Sequence, residues 1–425
     1  MAVSLVAASW FEVQVAGFPI NVSTAVAITL LVAFCVHSRR DLFTVVTPLD
    51  LIVMLLVAWH VVVDVYYGSD ALPTLARAYG EWGLMYAAGR YAVLHRGALA
   101  GLAPWFAGVA SVIAVASIAE SLTGINLWES VFHVADDRVS RPQGERYGIF
   151  HRAIGMTRHP IFLGVILMLL TAWSGIMIDS ANESNRKRFF GWMTLLLVIA
   201  GVVVTGSRGP VLGLCGALCF GLSLSSRIAR WAIAIGVLVG GIGLTFNFDR
   251  VIHGLDAIGG ERRAKIVRIN GDAELYTGTR NRMFVVQIYG PIAMAGGPLG
   301  YGTEATDRFP PNVPGLPTDP ESKVRLRIVD NTYILIALRF GIVGVVLFSA
   351  LLLGAIWTCV VLRRVAGTYF HPCSAGSMVV FASVLFGVSL ELLTVYCDFD
   401  FLPWILFHCG VVSGLYAKTR VFTAG

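Results

Sequence analysis

Long apolar runs separated by short polar connections dominate the chain. A helix of about 20 mostly apolar residues crosses the ~30 Å hydrocarbon core of a bilayer. Runs of about this length occur eleven times, at 22–37, 48–67, 74–94, 99–119, 159–178, 188–205, 209–226, 228–246, 341–362, 376–396 and 401–418. The pattern predicts an all-α integral membrane protein with eleven spanning helices. Residues 1–21 are a candidate for a marginal twelfth helix, and a secretory signal peptide is not expected, because this segment carries Glu12 and has no basic leader.

Composition supports the membrane assignment. Hydrophobic residues make up 56% of the chain, charged residues only 14%, and the mean hydropathy is +0.73. The net charge of +6 does not indicate a nucleic-acid-binding protein, because the basic residues divide between predicted helix ends and loops. The seven cysteines lack the spacing of a zinc site and lie mostly in apolar runs, so buried free thiols are expected.

Basic residues mark alternate connections between the predicted helices: Arg39, Arg40, Arg96, Arg186, Lys187, Arg188, Arg227, Arg230, Arg363, Arg364, Lys418 and Arg420. Positive charge near helix ends stays on the cytoplasmic side, so the remaining connections are predicted to face outward. The outward set includes the loop 120–158 and the turn 206–209. We therefore predict one membrane domain that consists of N-terminal helices (1–246), an external insert with short helices (247–330) and C-terminal helices (331–425).

The external insert mixes helical and turn signals. Residues 260–282 are predicted to be partly helical, with basic side chains along one face at Arg262, Arg263, Lys265 and Arg268. Such a charge run is expected to be solvated or to contact anionic lipid headgroups. The apolar stretch 283–295 is expected to lie on the membrane surface, and the Gly- and Pro-rich segments 296–302 and 309–320 are predicted loops.

Four short motifs of polar and small residues lie between 150 and 345. They are Arg152-Ala-Ile-Gly155 leading to His159-Pro160, Gly206-Ser207-Arg208-Gly209, Arg280-Asn-Arg282 leading to Pro298-Leu-Gly300-Tyr-Gly302, and Asp330-Asn331 followed by Gly341-Ile-Val-Gly344. In this order they resemble the O-antigen ligase and O-antigen polymerase superfamily of bacterial membrane glycosyltransferases. Ligases of this family resemble one another in a motif of His-Asn, nine further residues and Gly-x-x-Gly. This chain is similar in its spacing, with Asp330 in the position of the histidine. An acidic residue there is more similar to polymerase-type branches.

The resemblance implies a fold of the GT-C type and a transfer reaction. A glycan carried on a polyprenyl pyrophosphate moves to a hydroxyl of a lipid-anchored saccharide, a polysaccharide or a protein, at the periplasmic face of the bacterial inner membrane. Membrane lipids are expected partners, and no nucleotide sugar, metal, other cofactor or nucleic acid is expected. A polymerase of the same superfamily is the alternative within this class.

Two alternatives come from other classes. A transporter or flippase of lipid-linked sugars tends to show paired repeats and broken helices near the membrane midplane. The polar residues of this chain instead concentrate at one predicted face, which favours an enzyme. The third hypothesis is a non-catalytic, structural protein of an export complex. It predicts that glycan transfer stays intact when Asp330 or Arg208 is replaced by alanine.

Arg208 and Asp330 are the candidate catalytic residues. An arginine at the end of the bilayer core costs at least ~2.5–3.5 kcal/mol when it faces hydrocarbon, so Arg208 is expected to face a cavity and to stabilise charge on a departing pyrophosphate. The alternative is that it snorkels to the interface. Asp330 is a candidate general base if burial raises its pKa. Pairing with Arg325 or Arg327 would instead lower the pKa of Asp330.

Further residues are candidates for binding the pyrophosphate or the glycan: Arg280, Arg282, Arg152, His159, Asn331, Ser207 and Glu391. Three of them have structural alternatives. Asn331 is a favourable helix N-cap. His159 precedes Pro160 at a helix entry, where a capping role is equally expected. Glu391 lies inside an apolar run, where pairing with Arg339 is the alternative to a functional role.

Other polar residues inside the apolar runs are expected to serve the fold. Arg77, Glu81 and Arg90 at helical spacing, with His60 and Asp64 one turn apart, are predicted to form an internal ion network. Gly341 and Gly344, on one helical face, are predicted to allow close approach of another helix.

Overall fold

A computed structural model describes residues 5–15, 18–37, 45–94, 98–132, 150–179, 185–258, 265–269, 272–276, 278–307, 310–316, 326, 328–365, 374–397 and 400–424. The helices are α1 (Val22–His37), α2 (Pro48–Tyr66), α3 (Ala71–Ala78), α4 (Leu84–Ala92), α5 (Ala98–Thr123), α6 (Leu127–Val131), α7 (Pro160–Asp179), α8 (Asn185–Val204), α9 (Arg208–Ser225), α10 (Arg227–Ile258), α11 (Gly278–Ala295), α12 (Thr332–Val365), α13 (Ala375–Glu391) and α14 (Leu402–Ala424). A π-helical turn (Tyr79–Gly83) joins α3 to α4, and a 3₁₀ turn covers Glu304–Thr306.

The predicted class, an all-α integral membrane protein, is confirmed. Each of the eleven apolar runs falls on helix in the structure. Among the described residues, seven helices are long and apolar enough to cross a membrane, namely α2, the Leu99–Thr123 part of α5, α7, α8, α9, the Arg227–Asn247 part of α10, and α12. The other four runs correspond to α1, to the interrupted pair α3 and α4, to α13 and to α14, which lie outside that set.

The helix α7 lies at the centre of the bundle. Its apolar window is 94% buried, and it contacts α5, α8 and α13. Trp173 of α7 stacks on Phe106 of α5 with ring centroids 4.2 Å apart, and its indole N–H donates to His408 of α14 at 3.1 Å. These contacts fix α7, and therefore also the residues that immediately precede it.

The helix α12 is broken at Gly341, which has φ 64° and ψ −166°. A side chain there would collide with the carbonyl oxygen of Pro298 and lie 2.6 Å from that of Gly297, and the positive φ itself favours glycine. The predicted approach of another helix at Gly341 is therefore wrong, because the neighbour is a loop. At Gly344, the nearest side chain is that of Phe340 in the same helix.

The loop 297–302 replaces helical hydrogen bonds that the break removes. The N–H of Tyr301 donates to the carbonyl of Leu338 at 2.7 Å, and the N–H of Gly302 donates to that of Arg339 at 2.9 Å. Because buried backbone groups need partners, the Pro-Leu-Gly-Tyr-Gly and Gly-x-x-Gly motifs act as one structural unit. This unit fixes the first half of α12 and the residues before it.

Two β-hairpins correct the sequence predictions. The first pairs β1 (Glu12–Val15) with β2 (Phe18–Asn21), so the described part of 1–21 contains no twelfth spanning helix. Pro19 explains this, since proline in a helix interior costs ~3 kcal/mol.

The second hairpin pairs β3 (Lys265–Ile269) with β4 (Asp272–Tyr276) where helix was predicted. The sequence Asn-Gly at 270–271 between runs rich in strand-forming residues is a strong hairpin signal. Lys265 and Arg268 therefore lie in a strand, and Arg262 and Arg263 lie outside the described residues. The stretch 283–295 belongs to α11, which packs on α12, with Tyr289 donating to the carbonyl of Leu326 at 2.6 Å.

Candidate active site

The turn between α8 and α9 places Arg208 at the start of a helix. Gly206 has φ 58°, which lets the chain reverse direction. Ser207 occupies the N-cap position of α9 without a side-chain cap bond, and its Oγ lies 3.3 Å from the carbonyl of Thr205. An uncapped helix N-terminus attracts anions, because its first N–H groups and the helix dipole point outward. Arg208, half-buried, adds its full positive charge to this end.

Arg152 is tied to the same turn. Its Nε donates to the carbonyl of Thr205 at 3.2 Å, and one terminal nitrogen donates to Ser207 Oγ at 3.0 Å. The Ser207 hydroxyl is therefore engaged with a guanidinium instead of capping α9. Two predicted binding residues, Arg152 and Ser207, are thus in direct contact one residue away from Arg208.

His159 caps α7. Its Nδ1 accepts the N–H of Ile161 at 3.2 Å, and its carbonyl accepts further N–H groups of the first turn, so the capping alternative is confirmed. Because Nδ1 is an acceptor, the proton of the neutral ring sits on Nε2. Burial, followed by the positive charges of Arg152 and Arg282, lowers the pKa of His159 to about 4. At neutral pH the ring is uncharged and is a donor at Nε2.

The start of α12 is fixed to the segment that follows α13. Asn331 Oδ1 accepts the N–H of Ile334 at 3.0 Å, so Asn331 is the N-cap of α12. The predicted capping role of Asn331 is therefore confirmed. Its amide nitrogen donates to the carbonyl of Leu393 at 3.0 Å, and the N–H of Thr332 donates to that of Leu392 at 2.9 Å. The residue before Asn331 therefore lies beside the C-terminal end of α13.

Glu391 ends α13 and is 2% exposed. A Cβ added at Gly209, in the first turn of α9, would lie 2.6 Å from Glu391 Oε2, so the carboxyl group rests against the N-terminus of α9. Neither carboxyl oxygen has a hydrogen-bond partner among the described residues. The alternative pairing with Arg339 is wrong, because Arg339 donates to Thr306 at 2.7 Å and lies 4.0 Å from Asp307.

Arg282, in the first turns of α11, connects these elements electrostatically. Burial raises the pKa of Asp330 to about 6, and the positive charge of Arg282 opposes that rise. The same guanidinium is an electrostatic neighbour of Glu391 and of His159. One positive charge thus lies close to two carboxyl groups that come from different helix ends.

One cluster therefore contains most residues that the sequence predicts for the site: Arg152, His159, Ser207, Arg208, Arg282, Asp330, Asn331 and Glu391. Arg280 lies two residues before Arg282 in α11, and its side chain is outside the described part of the chain, as are Arg325 and Arg327. The catalytic and binding roles of these residues stay predictions, and the structure adds their proximity.

Glu120 is a residue of this region that the sequence analysis missed. It is buried near the end of α5, and its carboxylate accepts the N–H groups of Ile154 and Gly155 at 3.0 and 2.9 Å. A single acidic residue near the end of an apolar run gives no signal of this, because Ile154 and Gly155 lie more than thirty positions further along the chain.

The predicted ion network divides into two groups, and Arg77 belongs to neither, because it is exposed and pairs with Asp307 at 3.4 Å. His60 lies 3.1 Å from Asp64 and 3.8 Å from Glu81. Arg90 instead pairs with Asp50 at 3.0 Å. Within the part of the chain that the structure describes, no three or more His, Cys, Asp or Glu side chains are grouped as metal ligands, and no disulfide joins the cysteines.

Comparison with known families gives one match. The family model described as O-antigen ligase matches residues 193–349. The match includes Arg208, Arg282, Asp330 and the break at Gly341, while Arg152, His159 and Glu391 lie outside it. No curated protein matches the chain. This multi-pass membrane protein is therefore similar to the O-antigen ligase family over residues 193–349, and the match supports the O-antigen ligase and polymerase superfamily.

Proposed function

We propose that this protein transfers a glycan from a polyprenyl-pyrophosphate carrier to an acceptor hydroxyl at the periplasmic face of the bacterial inner membrane. The match of residues 193–349 to the O-antigen ligase family supports a glycosyltransferase of the ligase or polymerase type. The observation that carries the finer proposal is the convergence of Arg152, Arg208 and Arg282 with the carboxyl group of Asp330. Positive groups for a diphosphate and a base for a hydroxyl are what such a displacement requires.

The arginines are proposed to bind the pyrophosphate. Breaking the bond between the anomeric carbon and the phosphate oxygen leaves negative charge on the diphosphate, and preorganised cations stabilise that charge most when water is excluded. The uncapped N-terminus of α9 adds its dipole at the same place. Arg208 and Arg282 carry this role, Arg152 orients the turn and the diphosphate, and Arg280 belongs to the same helical turn as Arg282.

Asp330 is proposed to accept the proton of the attacking hydroxyl. With a pKa of about 6, its carboxyl group is ionised at pH 7 and above, yet basic enough to act in general-base catalysis. The acceptor oxygen bonds to the anomeric carbon, the polyprenyl pyrophosphate leaves with the bonding electron pair, and the proton goes to Asp330. Transfer activity is therefore expected to rise with pH through about 6 as Asp330 loses its proton.

The remaining polar residues are proposed to position the reactants. Glu391 lies against the start of α9 and holds this helix end in place through the contact of its carboxyl group with Gly209. His159, neutral at pH 7, donates from Nε2 to an oxygen of the sugar or the diphosphate. Asn331 fixes the orientation of Asp330, and Ser207 holds the Arg152 guanidinium.

An apolar cavity supports a lipid-linked donor. It has a volume of about 790 Å³ and lies between α7, α8, α9 and α13. Val203 and Val211, which flank the turn that carries Arg208, belong to its lining. An isoprenoid tail in this cavity would bring its diphosphate to the N-terminus of α9.

The test is a transfer assay with purified protein in proteoliposomes that contain a polyprenyl-pyrophosphate glycan. Wild type is expected to glycosylate an added acceptor, and Arg208→Ala is expected to lower the rate at least ~10²-fold, as losing one oxyanion donor does. Arg230→Ala is the matched control, because Arg230 is exposed and its side chain donates to the nearby carbonyl of Ser223 at 3.0 Å.

Two results would contradict the proposal. If Arg208→Ala keeps the full transfer rate, Arg208 does not have the proposed role in binding the pyrophosphate. A protein that moves the lipid-linked glycan across the bilayer without glycosylating any acceptor is a transporter. Supplying lipid-anchored saccharide, growing polysaccharide and protein acceptors in parallel distinguishes a ligase from a polymerase.

A further inference from the structure

A short backbone strap, residues 151–155, carries Arg152 to the turn between α8 and α9. The strap is fixed on one side to α5, where the N–H of His151 donates to the carbonyl of Ser121 at 2.9 Å and Ser121 Oγ donates back at 2.7 Å. On the other side, the N–H of Ala153 donates to the last carbonyl of α8 at 3.2 Å. The conformation of the strap therefore decides where the Arg152 guanidinium lies.

Glu120 determines the conformation of the far end of the strap. Its Oε1 accepts from the N–H of Ile154 at 3.0 Å and from the Asn126 amide at 3.1 Å, and its Oε2 accepts from the N–H of Gly155 at 2.9 Å. Gly155 has φ 56°, so the strap ends in a tight turn around this carboxylate. The side chain is 1% exposed.

We propose that Glu120 is a positioning residue, which sets Arg152 in place for the pyrophosphate. This inference rests on the function proposed above. An ionisable group buried in a membrane helix is costly and is expected to serve function. Among the described residues, its hydrogen-bond partners are the strap and Asn126, which itself donates to the carbonyl of Gly155 at 3.0 Å. Both partners act on the segment that leads to Arg152.

The chemistry of the carboxylate explains why glutamate is required. Two adjacent backbone N–H groups need two acceptors, and the two side-chain oxygens of Glu120 accept one each. Glutamine would turn an NH₂ group toward one of these N–H groups, and aspartate is one methylene too short to reach both. In either case the strap relaxes, and Arg152 loses the geometry of its 3.0 and 3.2 Å bonds to the turn.

A double-mutant cycle tests the inference in the purified, reconstituted protein. Glu120→Gln is expected to lower donor kcat/KM about ten- to hundredfold, the size of effect that a misplacement of about 1 Å produces. In the Arg152→Ala background the same change is expected to have less than about a twofold effect, because the group that Glu120 positions is gone. Glu304→Gln, at an exposed position outside the site, is the matched control and is expected to match wild type.

The outcomes separate positioning from a purely structural role. Equal effects of Glu120→Gln in both backgrounds, or a lower melting temperature with unchanged donor KM, overturn the inference. Should Glu120→Gln fail to fold, Ser121→Ala replaces it in the cycle, because it loosens the strap without changing the carboxylate. Ser121→Ala is then expected to lower donor kcat/KM in the wild-type background and to have little effect in the Arg152→Ala background. Wild type without transfer activity defeats the proposed function and this inference together, whereas active wild type with additive effects defeats this inference alone.

Discussion

Replacing Asp330 with asparagine should stabilise the protein and inactivate it. Burial raises the pKa of Asp330 from 3.8 to about 6, which corresponds to an upper limit of ~3 kcal/mol against folding when the group is ionised. Well below pH 3.8 the carboxyl group is protonated in both folded and unfolded protein, so this penalty is absent, and at pH 4 it is still small. As the pH rises through about 6, the folded protein must carry the buried charge, and stability falls. Asp330→Asn removes the charge and therefore the penalty.

Thermal melting in detergent at pH 4 and pH 8, with the transfer assay on the same samples, measures both effects. We expect Asp330→Asn to melt at a higher temperature than wild type at pH 8 and at a similar temperature at pH 4. Loss of a general base is expected to lower transfer 10²- to 10⁴-fold. Asn331→Asp is unsuitable as a control because it removes the amide that donates to the carbonyl of Leu393. Asp307→Asn, at a half-exposed surface position, should leave activity unchanged. A variant that melts lower at pH 8, or that keeps its activity, refutes the reasoning.

Two glycine substitutions test the packing around the site. Gly209→Ala places a methyl group against the Glu391 carboxyl, so transfer should fall at least about tenfold. Gly108→Ala, which meets open space in α5, is the control and should leave transfer and melting unchanged. Equal activity of the two variants would contradict the contact between Gly209 and Glu391. Gly341→Ala should lower the melting temperature, since its φ of 64° and the adjacent loop both resist a side chain. Gly236→Ala, with open space around it, serves as its control and should not melt lower.

The spanning helices were predictable because their signal is local. A run of about 20 apolar residues requires no knowledge of distant contacts, and all eleven runs are helical. The N-cap at Asn331 and the glycine-based turn before Arg208 follow from equally local rules. These local features also located most residues of the candidate site.

Features that depend on distant segments escaped the sequence analysis. The break at Gly341 exists because the loop 297–302 supplies replacement hydrogen bonds, and spacing alone suggested helix packing instead. Glu391 lies against the start of α9 rather than beside Arg339, a choice set by the tertiary arrangement of α9 and α13. The role of Glu120 could not be predicted for the same reason, since Ile154 and Gly155, whose N–H groups it accepts, lie more than thirty positions further along the chain.

The central claim is that Arg282, whose charge acts on the carboxyl groups of Asp330 and Glu391, stabilises the departing lipid pyrophosphate together with Arg208. The most direct measurement is the release of polyprenyl pyrophosphate, coupled to acceptor glycosylation, by wild type, Arg282→Ala and Arg77→Ala in proteoliposomes. Arg77 is a suitable control because it is exposed and pairs at the surface with Asp307 at 3.4 Å. The account predicts that only Arg282→Ala loses release and glycosylation, by at least ~10²-fold. Undiminished release from Arg282→Ala, or an equal loss in both variants, contradicts it.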